Sequence, residues 1–169
     1  MTDLETHYLA DDGHGFPNSR LPVVVFRGAL RGDAPVMERA FADNGWSNAW
    51  RNGVFGYHHF HSITHEVLGI AEGEVKIAFG GPDGAIVAVG AGDVVVIPAG
   101  VAHCNAGQSD ELLIVGAYPG GHEWDICRGD PADHRRAKAA AAAVSADVPD
   151  PLGEAGLLRE AWRPSRNDP

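Results

Sequence analysis

Between Gly53 and Tyr118 the chain is a series of short, often β-branched runs cut at close intervals by glycine, proline and aspartate. That rhythm restricts the fold more than any other feature. The breaks fall at Ala71-Glu72-Gly73, Gly80-Gly81-Pro82-Asp83-Gly84, Gly90-Ala91-Gly92-Asp93 and Pro98-Ala99-Gly100. Such residues supply the backbone angles of tight turns. The runs between them predict strands at 54–61, 66–71, 74–79, 85–89, 94–97, 103–105 and 111–117. Short strands at this even spacing make an all-β sandwich or barrel.

The flanks read differently. Leu21-Pro22-Val23-Val24-Val25-Phe26 predicts one more strand, with Pro22 near its start. Asp33 as cap, Pro35 in the first turn and Met37, Ala40 and Phe41 at helical spacing predict a helix over 35–44. Residues 1–20 read as an arm with at most a short docked strand. The alanine-rich stretch after Pro131 predicts a helix over 131–143, its His134, Arg135, Arg136 and Lys138 forming a solvated face. Leu157, Leu158 and Trp162 are expected to anchor the last segment, on the barrel or on a neighbouring subunit. The organisation expected is one domain: an arm, strand and helix over 1–50, a barrel core over 51–120, and a helix and tail over 121–169.

With 169 residues and a net charge of −10, the chain does not have the basic balance that phosphate binding needs, which argues against a nucleic-acid partner. No apolar run reaches the ~18 residues of a membrane span. The polar, acidic N-terminus is unlike a secretory leader, and two cysteines read as reduced thiols, so a cytoplasmic location is expected.

The chemistry concentrates in Tyr57-His58-His59-Phe60-His61-Ser62-Ile63-Thr64-His65-Glu66, which holds four of the nine histidines. On an extended segment, residues two apart share a face. His59 and His61 therefore point together with Tyr57, while His58 and Phe60 take the other side. Glu66 opens the next strand, and His103 follows the Pro98–Gly100 turn. Three imidazoles and one carboxylate are a donor set for one divalent metal. Polar residues satisfied inside strands are the alternative reading of the same positions.

The spacing resembles the cupin superfamily. Gly53, His59, His61, Glu66 and Gly73 fill the first cupin motif, G-x5-H-x-H-x(3,4)-E-x6-G. Gly92, Pro98, Gly100 and His103 match the second, G-x5-P-x-G-x2-H-x3-N, whose final Asn is Gly107 here. The wider run from Tyr57 to Gly69, with Pro98–Cys104 and Gly116-Ala117-Tyr118-Pro119, is similar to the bacterial YjlB-like cupins. The resemblance covers roughly 50–118. It implies a double-stranded β-helix (jelly-roll, RmlC-like) barrel, to which the helices read at 35–44 and 131–143 add a short N-terminal helix and a C-terminal helical extension. It also implies His59, His61, Glu66 and His103 as ligands of one divalent transition metal (Fe, Mn, Ni, Co, Cu or Zn).

The function expected is a metal-dependent enzyme, oxygenase- or isomerase-like, acting on a small polar metabolite inside the barrel. The alternative is a binding or sensing module without turnover, and a weaker third is a structural subunit. A homodimer is expected. His65 and Tyr118 are candidate catalytic groups, with His65 more simply a surface residue. Tyr57, Asn105 and Tyr118 are expected around the substrate. Cys104, one position past His103, reads as a small buried hydrophobe. His122-Glu123-Trp124-Asp125 lacks the second histidine of H-E-x-x-H and carries no metalloprotease reading.

Overall fold

A computed structural model describes residues 3–153 and 157–164. Nine strands run in chain order: β1 (Asp3–Leu9), β2 (Ser19–Arg27), β3 (Trp46–Asn52), β4 (Glu66–Glu72), β5 (Glu74–Phe79), β6 (Ala85–Gly90), β7 (Val94–Ile97), β8 (His103–Gln108) and β9 (Leu113–Pro119). The helices are α1 (Ala34–Asp43), α2 (His134–Ala142), preceded by a 3-10 turn at Pro131–Asp133, and α3 (Leu157–Ala161). A six-stranded sheet in the order β1-β2-β7-β4-β9-β3 faces a three-stranded sheet in the order β6-β5-β8. Every pairing is antiparallel. This is the jelly-roll barrel that the sequence predicts.

Two cores explain the sequence pattern. Val23, Val25, Leu68, Ile70, Val95 and Ile114 of the large sheet meet Val75, Ile77, Phe79, Val87 and Val89 of the small one inside the barrel. The outer face of the large sheet is also covered. Val24, Phe26, Val67, Val94, Val96 and Val115 pack there against Met37 and Phe41 of α1 and against Leu158 and Trp162. Strands buried on both faces read as continuous apolar runs and do not alternate. That is why Val23–Phe26 and Val94–Ile97 are unbroken. Trp162 donates its Nε1–H to the Pro22 carbonyl at 2.9 Å, so the last described segment docks on this chain's own large sheet.

Asp33 caps α1 as the sequence predicts, accepting from the Val36 N–H at 3.1 Å. On α2 the arginines Arg135 and Arg136 are exposed, whereas His134 and Lys138 both reach Asp11, at 2.7 and 2.6 Å, and tie the helix to the N-terminal loop. The strand expected at 54–61 is not formed; that stretch makes only isolated bridges at His59 and Phe60. The strand lies earlier, in β3, and the large sheet therefore draws on residues on both sides of position 50. Among the described residues no helix is long and apolar enough to cross a membrane.

Candidate metal centre

The segment between β3 and β4 runs between the start of β8 and Cys127 as a strap held by single backbone pairs. His59 exchanges hydrogen bonds with His103, at 3.2 and 2.8 Å, on one side. Phe60 exchanges them with Cys127, both at 2.9 Å, on the other. The Gly100 N–H then donates to the His61 carbonyl at 2.8 Å, fixing the strap to the turn that precedes β8. Alternation survives without a regular strand. His59 and His61 turn inward, and Phe60 packs outward with Phe16, Ala102 and Ala137. His58 lies on the Phe60 side, edge-on to Phe16 at 6.0 Å.

The inward histidines converge with His103. Ring centroids are 4.2 Å apart for His59–His103, 5.5 Å for His61–His103 and 5.7 Å for His59–His61. One ring nitrogen from each lies within 4.8 Å of the other two. Glu66 stands beside this triad, its two oxygens each 3.4 Å from a ring nitrogen, Nε2 of His61 and Nε2 of His103. All four side chains are buried.

Whether this set suits a cation follows from the opposite edge of each ring. Nδ1 of His59 faces the Tyr57 carbonyl at 3.0 Å, Nδ1 of His103 faces the Val101 carbonyl at 3.1 Å, and Nδ1 of His61 faces the Asp125 carbonyl at 2.5 Å. A carbonyl only accepts, so each Nδ1 carries a proton and Nε2 is the nitrogen each ring turns inward. On His61 and His103 that nitrogen faces a carboxylate oxygen at 3.4 Å, an arrangement that a proton or a metal cation between them satisfies. Burial and the neighbouring His103 push His59 down to about 3, so it stays neutral. Burial opposes charge on His61 too, but hydrogen bonding to Glu66 and its charge outweigh it and raise the pKa. Burial likewise opposes ionisation of Glu66, and His103 and His61 reverse it, holding the carboxyl far below its usual range. The field that favours a proton on His61 favours a metal ion equally. The residues fit a metal.

A cavity of about 830 Å³ opens over this floor. Its walls include Trp50, Phe55, Leu112, Tyr118 and Trp124. Trp50 lies flat on the β9 backbone at Gly116, where any Cβ would fall 2.1 Å from the indole. From there its Nε1–H donates to the Tyr118 hydroxyl at 2.9 Å. Burial and the Glu66 charge raise the Tyr118 phenol well above its ordinary value, so it stays protonated.

A Bacillus subtilis protein described as "Uncharacterized protein YjlB" is 39% identical over 161 residues, covering 95% of this chain and 97% of that one. The chain belongs to the YjlB family. No protein-family model matches it. Among solved structures, it is similar to an acireductone dioxygenase from Bacillus anthracis with cadmium in its active centre (21% identity, 53% of this chain and 62% of that one, TM-score 0.41). It is similar also to RmlC from Streptococcus suis in complex with dTDP-D-xylose (13%, 73% and 72%, 0.40). A third is the polyketide cyclase RemF from Streptomyces resistomycificus (15%, 83% and 94%, 0.35). None of the three bears on the reaction.

In this YjlB-family chain the other expected site residues separate. Tyr118 lines the cavity. Tyr57 does not; it stacks on Phe55 at 5.1 Å, with the Arg128 guanidinium 3.9 Å from its ring centroid. Asn105 turns aside to Gln108, donating to its Oε1 at 2.7 Å, and Gln108 is the one that reaches the cavity. The surface reading of His65 is overturned: the residue is 1% exposed. Alternation points it away from Glu66, where Nδ1 accepts from the Ala99 N–H and Nε2–H donates to the Ser145 carbonyl, both at 2.8 Å. Burial depresses its pKa to about 4. Both ring nitrogens are occupied and the ring lies against Trp162, outside the cavity. Cys104 is buried and its thiol is pushed up by that burial. Trp50, Trp124 and Asp125 went unread in the sequence. The His122–Asp125 stretch drew notice only as a failed metalloprotease pattern, and nothing local marks Asp125 as a partner of His61.

Proposed function

We propose that the chain is a metal-dependent enzyme, oxygenase- or isomerase-like, in which His59, His61, His103 and Glu66 hold one divalent metal. The observation that supports it is the triad whose Nδ1 atoms all meet carbonyls while their Nε2 edges converge beside a buried carboxylate. A metal bound there would supply Lewis acidity toward a carbonyl or hydroxyl, or a site for dioxygen. Mixed nitrogen and oxygen donors suit several first-row metals.

The chain's own residues do the rest. Trp50 fixes the Tyr118 hydroxyl oxygen by donating to it, which turns the Tyr118 proton toward the Glu66 carboxylate at the floor. A phenol with a raised pKa stays protonated and acts there as a hydrogen-bond donor, not as a base. Among the described residues, the cation lining the cavity is Arg51, and both its bonds go to Glu38, at 2.5 and 3.2 Å. The substrate is then a small metabolite whose polar atoms sit on the histidine floor. Its flatter, less polar body lies along Trp50, Phe55 and Trp124.

Metal-reconstituted protein incubated with a metabolite extract, followed by mass spectrometry and oxygen uptake, tests this. Turnover that survives chelation, or stabilisation by a metabolite with no product, contradicts the reading; the second result marks a binding module. Tyr118→Phe should keep its metal and slow turnover by about 10²-fold or more.

A further inference from the structure

His59 and His103 each take their Nδ1 acceptor from the residue two before them on their own segment. His61 does not: its acceptor is the carbonyl of Asp125, 64 residues further along the chain. We propose that Asp125 is the positioning residue that sets the orientation of His61 and locks the Trp124 wall of the cavity to the metal centre. This rests on the metal-centre reading above.

The carboxylate of Asp125 makes the lock. Its Oδ1 accepts from the Ser62 N–H at 2.7 Å, and its Oδ2 accepts from the Ser62 hydroxyl at 2.5 Å and the Cys127 thiol at 3.4 Å. Phe60 and Cys127 pair through their backbones one step away. Residues 60–62 therefore bind 125–127 on both sides of His61. The flanking Trp124 and Ile126 are 42% and 39% exposed, and Trp124 adds ring packing on His61 and Tyr118. The carboxylate is what keeps the Asp125 carbonyl aimed at Nδ1. Once that carbonyl moves, the His61 ring can turn or change tautomer, and its Nε2 lone pair is no longer held toward Glu66. A partner that fixes the far nitrogen of a ligating histidine commonly controls its affinity for metal.

Trp124, next to Asp125, stands edge-on to the His61 ring at 5.6 Å while lining the cavity. The same short segment thus shapes the substrate wall and aims one ligand. His59 and His103, with acceptors on their own segments, do not depend on it.

Replacing Asp125 separates this from a merely structural tie. In Asp125→Asn the amide oxygen can still accept from the Ser62 N–H, and its NH₂ can donate to the Ser62 hydroxyl oxygen. Asp125→Ala keeps neither bond. Zinc affinity is measured by competition with a chromophoric chelator for wild type, D125A, D125N and S62A. Histidine tautomers are read from long-range proton–nitrogen NMR spectra of the same proteins. D125A is expected to bind zinc about 10–100-fold more weakly. Its His61 signals should lose the Nδ1–H pattern while those of His59 and His103 keep it, and D125N should bind close to wild type.

D125A that binds zinc as tightly as wild type, with His61 unchanged, contradicts the role. So does an equal loss in D125A and D125N with all three histidines altered. Should D125A fail to fold, S62A is decisive. A smaller loss confined to the His61 signals supports the role, and wild-type affinity with an unchanged His61 refutes it. Wild-type protein that takes up no zinc contradicts the metal centre itself. Zinc bound equally by wild type and D125A contradicts only the role of Asp125.

Discussion

His65 neighbours a proposed ligand, yet its geometry makes it a strut, and His65→Ala measures the difference. In the native protein its Nδ1 is the acceptor for the Ala99 N–H, and Ala99 is itself buried at 2% exposure. Removing the ring leaves that N–H without a partner, at a cost of about 1–3 kcal/mol. The Ser145 carbonyl belongs to an exposed residue and can take water, so its loss adds little. The ring also packs on Trp162 at 4.7 Å. A void on the order of 60 Å³ there adds about 1–2 kcal/mol. The sum is about 2–5 kcal/mol, or roughly 5–15 °C in Tm for a domain of this size. Urea unfolding followed by circular dichroism gives the free energy, and elemental analysis of the folded variant gives its metal. The expected result is a large stability loss with full metal content. A variant as stable as wild type, or one that stays folded and loses its metal, refutes the reasoning.

Gly100 sits at φ +93°, with a Cβ position 2.4 Å from the Asn18 carbonyl oxygen. Asn18 cannot yield, because its side chain bonds Ala10, Gly80 and Ala102. Gly100→Ala should therefore lose about 2–5 kcal/mol in urea unfolding. Burial raises the Asp11 carboxyl, but Lys138, the Gly13 N–H and His134 overcome it and bring the pKa down to about 2. Its contribution is thus complete above the ordinary value of 3.8 and disappears as pH falls toward about 2. Unfolding of Asp11→Asn should show a shallower acid dependence than wild type across that window; an identical slope would contradict it. Light scattering should give about twice the chain mass of 17.8 kDa if the protein is a dimer, and a monomer at every concentration would exclude that.

Much of the barrel was legible because its turns and apolar runs are local signals. The strands from Glu66 to Gly90 and the cap at Asp33 needed nothing beyond neighbouring residues. So did the shared inward face of His59 and His61, since alternation requires only extended backbone. β3 was not legible. It reads Trp-Ser-Asn-Ala-Trp-Arg-Asn, and a bulge between Ser47 and Trp50, with Asn48 at φ +58°, breaks the two-residue period. The strap at 54–61 looked like a strand because its residues suit one, but single bridges on either side give it no ladder. The burial of His65 depends on Ser145 and Trp162, and the orientation of His61 depends on Asp125, so both are set by contacts far apart in the chain.

The central claim is that three histidines and Glu66 hold one metal. The most direct measurement is elemental analysis of the protein purified without added metal, beside His59→Ala and His103→Ala after mild chelation. The account predicts close to one divalent transition metal per wild-type chain and little in either variant. Full retention in both variants, or wild-type protein that takes up no metal even when supplied with it, would contradict it.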